Sequence, residues 1–256
     1  MPYFHIIINV NLTILFLYFS LWYFFRFFIF AIVFYVFFWR KKNSLTEKLR
    51  IQHVDFTTSE LKRDLTASAL TCALYGLCLM IGNWSRSDFL VYVFKHNNFG
   101  LKDFILTVPL SHFFGWFILI VLVHETYAYW VHRLFHTPFF YKHIHYVHHT
   151  AKNPNPFTTH YFHPIEAVVG VLWVIALSLS FKIPLCVWIY FSFVNAFINV
   201  LGHSGIEIFP SYWKEHWFFK FLNSSTNHNH HHKYSSGNYG FYFTFWDRAM
   251  NTFIKN

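Results

Sequence analysis

At 256 residues, 55% apolar, 24% aromatic and only 12% charged, the chain has the composition of a protein that lives in lipid rather than of an ordinary soluble domain. The formal charge of +9, with 19 histidines counted as neutral, raises nucleic acid as a partner. The Lys and Arg residues flank apolar runs instead of forming a stripe, however, and no nucleic-acid motif is present, so the charge is read as membrane orientation.

Residues 6–39 form an almost unbroken apolar run of 34 residues, more than the roughly 20 that a spanning helix needs. The run fits one tilted helix or two short passes, and a single retained anchor helix is preferred. Its one charge, Arg26, costs about 3 kcal/mol near a bilayer centre unless it snorkels or finds a partner. A polar linker follows, so residues 1–64 read as an anchor and linker. The second span is expected at 65–81. Residues 83–103 read as a loop with a short amphipathic piece at 89–94. The third span, 104–131, is about 42 Å long as a helix against about 30 Å of hydrocarbon, so it should protrude and carry His132 into water. Residues 165–181 and 183–201 read as a helical hairpin, and 203–256 as a surface cap of short helices and loops. The fold class is therefore all-α integral membrane, with about five spanning helices and a histidine-rich cap. Cys72, Cys78 and Cys186 all sit in apolar runs and read as packing residues.

Nine histidines fall between His124 and His163, a second cluster lies at 227–233, and His203 stands between them. A hairpin goes out and returns, so everything after it should lie on the same side as 132–164. Segments 40–64, 132–164 and 203–256 hold seven, three and five Lys plus Arg, against four in the opposite loops, which places that side in the cytoplasm.

His132 and His136 are four apart and share a helical face. His145, His148 and His149 form an i, i+3, i+4 triplet, and His228, His231 and His232 repeat it. These eight imidazoles exceed the four ligands of a tetrahedral zinc and suit two metals, although imidazole alone does not choose between iron, zinc, copper and nickel. His163, at a helix start beside Pro164, and His203, aligned with Asn195 and Asn199, join them as metal-binding candidates. His160 is a weaker candidate. Glu125 faces inward seven residues before His132, as an acid with a cation partner or a function does. Glu125, Glu166, Glu207 and Asp247 are candidates to orient ligands through their second ring nitrogen. His124 and His143 are treated as passengers, His216 and His230 as spare surface histidines, and His5, His53, His96 and His112 as structural.

The ordered set H-x3-H, H-x2-H-H, H-x2-H-H resembles the signature of the fatty acid hydroxylase and sterol desaturase superfamily of membrane di-iron oxygenases. YWVHRLFH, YKHIHYVHH, NPFTTHYFHPIE, GHSG and NYGFYFTFWDRAMNT are similar to family segments from about residue 59 onward. FTTHYFHP is closest to sterol C-5 desaturases, whereas GHSG is more like sterol methyl oxidases and bacterial hydroxylases, and Asn227 stands where many relatives carry a further histidine. The resemblance implies that 65–256 is the di-iron domain and that the acid matched by Glu125 has a catalytic role. It further implies that two irons, replaceable by zinc on purification, act with O2 to hydroxylate or desaturate a lipid. With no dinucleotide, flavin or haem motif, electrons are expected from a separate cytochrome b5, or from a ferredoxin and its reductase. The membrane would be endoplasmic reticulum or a bacterial inner membrane. A histidine-rich metal transporter is the competing reading, but transporters hold ions near the midplane and these boxes lie beyond the spans.

Overall fold

The computed structural model describes residues 12–84 and 108–255, so the amphipathic piece expected at 89–94 lies outside the described residues. The first apolar run is one continuous helix, α1 (Leu12–Phe34), whose last turns widen into a π-helix at Tyr35–Arg40. Its 29 residues span about 44 Å, which favours one tilted pass over two short ones. A short helix α2 (Ser44–Leu49) follows, begun by a capping box between Asn43 and Thr46.

Helix α3 (Thr58–Trp84) starts seven residues before the expected span. The reason is local: Thr57 Oγ1 accepts from the Glu60 N–H while Glu60 Oε2 accepts from the Thr57 N–H, so a capping box begins the helix in its polar approach. Helix α4 (Leu110–Phe135) ends at the first histidine pair. Segment α5 (138–149) joins two short α-turns through a π-helical turn at Tyr141–His145. Helices α6 (Pro164–Ser180) and α7 (Leu185–His203) form the hairpin. The end of the chain supplies α8 (Ser225–Tyr234) and α9 (Phe245–Ala249). Among the described residues pairing of strand type is limited to two isolated bridges, Arg50 with Ile206 and Leu222 with Phe243.

The fold is thus all-α and membrane-integral. Among the described residues four helices are long and apolar enough to cross a bilayer, and a further apolar helix, α6, has 17 residues and about 26 Å of length. Large apolar side chains such as Ile14, Phe25, Ile29 and Ile118 point outward, as lipid rather than water would require. Helix α1 packs chiefly on α3, and α3 on α6. The first contact is close because a Cβ at Gly76 would meet Ser20 Oγ at 2.1 Å, the small-residue packing that membrane helices use.

Two further elements fix the histidine end of the bundle. Asp64 on α3, fully buried, accepts from Asn155 Nδ2 at 3.0 Å and Thr158 Oγ1 at 3.1 Å, which pins the 3-10 turn Pro156–His160. Trp39 Nε1–H donates to the Ser204 carbonyl, tying the top of α1 to the end of α7.

Candidate metal centre

The end of α4, all of α5, the end of α7 and α8 converge at one end of the bundle, where nine histidines gather into two groups. His132, His136, His145, His149 and His231 make the first, and His148, His203, His228 and His232 the second; within each group the ring nitrogens lie within 4.8 Å of one another. The adjacent pairs are split between groups. Neighbouring residues on a helix point about 100° apart, so His149 serves one group and His148 the other, and His231 and His232 divide in the same way. Each H-x-x-H-H box therefore feeds both groups.

The outer ring nitrogens are fixed by acceptors. Nδ1–H donates to the Tyr239 carbonyl from His132 (3.0 Å), to the Ser235 carbonyl from His136 (3.1 Å) and to the Gly237 carbonyl from His231 (2.7 Å). In the second group His148, His203 and His232 donate to the carbonyls of Tyr161, Asn199 and Ala151. His145 Nδ1 is 2.7 Å from the buried Glu166 Oε1. With the proton held on Nδ1, each Nε2 presents a bare lone pair inward.

These inward atoms crowd one another. His145 and His231 each hold Nε2 3.1 Å from that of His149, and His228 Nε2 is 2.9 Å from that of His203. The Nδ1 acceptors of His145, His203 and His231 leave lone pairs on their side of these contacts, and a cation placed between the nitrogens satisfies both sides. Burial, reinforced by neighbouring histidines, also holds the imidazoles neutral, at about 3 for His149 and about 2 for His136, and well below 6.5 for His145, His148, His231 and His232. Neutral nitrogen donors in five- and four-membered sets fit two borderline divalent metals such as iron or zinc.

Two expectations follow from this arrangement. Folded-state values below the unfolded 6.5 mean that the unfolded chain binds protons the folded chain does not, so stability present above about pH 6.5 declines as pH falls. The metal-free protein in detergent should melt lower at about pH 5 than at about pH 7.5; an unchanged Tm contradicts neutral buried imidazoles. Glu166→Ala removes the acceptor that orients His145, and metal affinity should fall about 10- to 100-fold, read by competition with a chelator. Glu166→Gln, which still offers an oxygen, should lose less.

Glu125 accepts from the Tyr242 N–H at 2.6 Å and the Phe241 N–H at 3.2 Å. It holds the backbone of the segment after α8, and that segment carries the Ser235, Gly237 and Tyr239 carbonyls to the histidines. Asp247 grips the same segment through the N–H groups of Tyr239 and Gly240, and Glu207 caps α8 through Thr226. Gly240 has no room for a side chain, since a Cβ would lie 2.1 Å from the Phe243 carbonyl.

His163 stands apart from both groups: its Nδ1 accepts from the Ile165 N–H at 3.2 Å and caps α6. His160 stacks on Phe27, away from the ligand nitrogens. The partners of the outer ring nitrogens are mostly backbone carbonyls and carried no signal of residue type. One sign did exist. S-S-G-N after α8 is a turn pattern, and Ser235, Gly237 and Asn238 all take left-handed φ, bending the chain so that its carbonyls face the site.

A cavity of about 750 Å3 runs from the histidines into the bundle. His132, His148, His203 and His228 line its upper end, while Trp173, Phe191 and Phe241 line its body. His124 is part of this wall: it stacks on Trp173, and its Nδ1 is 2.7 Å from the Tyr242 hydroxyl, which also accepts from Asn195 Nδ2 at 2.8 Å.

A family model described as fatty acid hydroxylase matches residues 117–252. Rat lathosterol oxidase is 34% identical over 146 residues, 54% of this chain and 47% of the relative. Human lathosterol oxidase is 27% identical over 211 residues, 79% and 64% of the two chains. The C-4 methylsterol oxidase of Schizosaccharomyces pombe is 28% identical over 162 residues, 60% and 52%. The chain spans about half the length of the curated relatives it matches. No solved structure matches it.

Proposed function

Because the chain belongs to the fatty acid hydroxylase family, we propose that it is a membrane di-iron oxygenase that hydroxylates or desaturates a C–H bond of a sterol-like or fatty-acyl lipid. The observation that supports this best is the pairing of nine inward Nε2 donors in two sets with an apolar cavity that ends on them. His132, His136, His145, His149 and His231 would hold one iron, and His148, His203, His228 and His232 the other. Held there, the pair supplies dioxygen activation and the removal of hydrogen from an unactivated carbon.

The chain's own residues do the rest. The Nδ1 hydrogen bonds of His132, His136, His145, His148, His203, His231 and His232 hold these donors in one tautomer and one orientation, which lowers the reorganisation needed on binding. Trp173, Phe191 and Phe241 enclose the substrate in a dry wall and hold one stretch of it against the histidines. Glu125 and Asp247 fix the segment that supports His132 and His231, so Glu125 is read as a positioning residue. The charge imbalance of the loops supports a cytoplasmic active face, and the chain's lack of a redox-cofactor motif supports a separate electron donor such as cytochrome b5 or a ferredoxin with its reductase. The relatives named as lathosterol and methylsterol oxidases support a lipid as the substrate.

The test is a lipid comparison of cells with and without the gene, grown under 18O2. A precursor should accumulate without the gene, and with it a product should appear that carries one 18O atom or one additional double bond. Identical lipid profiles contradict the proposal.

A further inference from the structure

Arg26 is a buried cation in the middle of a membrane helix, in a part of the chain that precedes the family match at 117–252. Among the described residues its guanidinium makes one hydrogen bond, from Nη1 to the Ser192 carbonyl, and its face rests on the Tyr23 ring at 4.1 Å. Its Nε is buried with no hydrogen-bond partner, and none of the ion pairs among the described residues includes it. An intramembrane charge without a counter-ion is costly, and it is retained where it faces a partner or a pathway.

Arg26 faces the cavity. It lines the wall together with Ser192, Asn195, His124 and Tyr242. Ser192 precedes His203 by 11 residues on α7, which places the guanidinium contact about 16 Å below that ligand along the helix axis. His124 precedes His132 by eight residues on α4, about 12 Å below it. The cavity wall is therefore polar at two levels, at the histidines and at this lower cluster, where Trp173 and Phe191 pack against His124; below the cluster the lining continues through Trp188, Leu185 and Pro184 to Lys182. The cluster is rich in donors. When the Tyr242 hydroxyl donates to His124 Nδ1, the His124 Nε2–H is left to donate, in the same stretch of wall as Arg26. Among the described residues the one carboxylate in the cavity wall, Glu166, is already engaged with His145 at the histidine level.

We infer that this lower cluster binds the carboxylate of an acidic lipid, with Arg26 as its counter-ion and His124 as a further donor, so that the carbon presented to the histidines lies far along the chain from the acid group. The inference rests on the oxygenase reading and specifies its substrate class. A planar guanidinium pairs with a carboxylate through two parallel hydrogen bonds, whereas an alcohol or ketone in the same place would leave the charge uncompensated.

The test is scintillation-proximity binding of tritiated palmitate to the full metal-loaded chain in nanodiscs, competed with unlabelled palmitate, hexadecanol or methyl palmitate. Hexadecanol and methyl palmitate should compete about tenfold or more weakly than palmitate, the worth of a charge-assisted hydrogen bond. Arg26→Gln, which removes a buried charge and so should still insert, should erase that preference, and Arg26→Lys should keep part of it. Equal competition by acid and alcohol in the wild type, or a preference that survives Arg26→Gln, overturns the inference. Incorporation of 18O on the same preparations separates the two readings. A neutral lipid oxidised by the wild type as readily as the acid counts against the acid site alone, whereas acid-selective binding with no lipid oxidised counts against the oxygenase.

Discussion

Alanine at His148 is expected to abolish turnover and to remove about one of two metal ions per chain, while the protein still inserts and survives purification. His148 belongs to the four-histidine group, so its loss leaves three imidazoles, His203, His228 and His232. Three neutral donors without a carboxylate hold a divalent ion poorly compared with four. The effect on the fold should be small by comparison, because the ring hydrogen-bonds to a single carbonyl, that of Tyr161. His231→Ala is expected to behave differently. It takes the other group from five donors to four, so more metal should remain bound although turnover still falls to background. Metal analysis beside an activity assay distinguishes the two variants. Normal turnover in either one means that the division of the boxes between two metals is wrong.

The second large effect is expected at Glu125. Its carboxylate accepts two backbone N–H groups inside the bundle, and removing it strands both donors in a place that water does not reach, at a cost of about 3 kcal/mol. The cost falls on the segment that presents the Gly237 and Tyr239 carbonyls to His231 and His132. Glu125→Ala should therefore lose metal from the five-histidine group, and activity should fall in proportion to the metal lost. Glu125→Gln is the informative partner variant. It keeps one acceptor oxygen, so metal and activity should again fall together, but less. If Glu125→Gln retained two metals and lost all turnover, Glu125 would be acting on substrate, as the resemblance to the family implies, and its positioning role would be secondary.

Much of this was legible in the chain because the bilayer simplifies the physics. Runs of apolar residues long enough to cross hydrocarbon declare themselves by length, and parity then brings distant histidines to one face without any knowledge of packing. The i, i+3, i+4 spacing of His145, His148 and His149 pointed to one helical face, but not to the division of adjacent rings between different groups, which depends on what stands on either side. His203 joined the second group from between the clusters, where only Asn195 and Asn199 on its helical face hinted at a polar interior. His163 had the right neighbourhood and was drawn instead into capping α6, a competition that a histidine before Pro164 was well placed to enter. The start of α3 was hidden because hydropathy marks where a helix enters lipid, whereas the capping box of Thr57 and Glu60 marks where it begins. His124 looked like a passenger because its partners, Tyr242 and Asn195, come from parts of the chain far from it in sequence.

The most direct test of the central claim is the metal content of the full chain purified from iron-replete cells, counted by mass spectrometry against protein determined by amino-acid analysis. Close to two metals per chain, chiefly iron, is the result that two histidine groups predict. A single tightly bound zinc with no iron would contradict it.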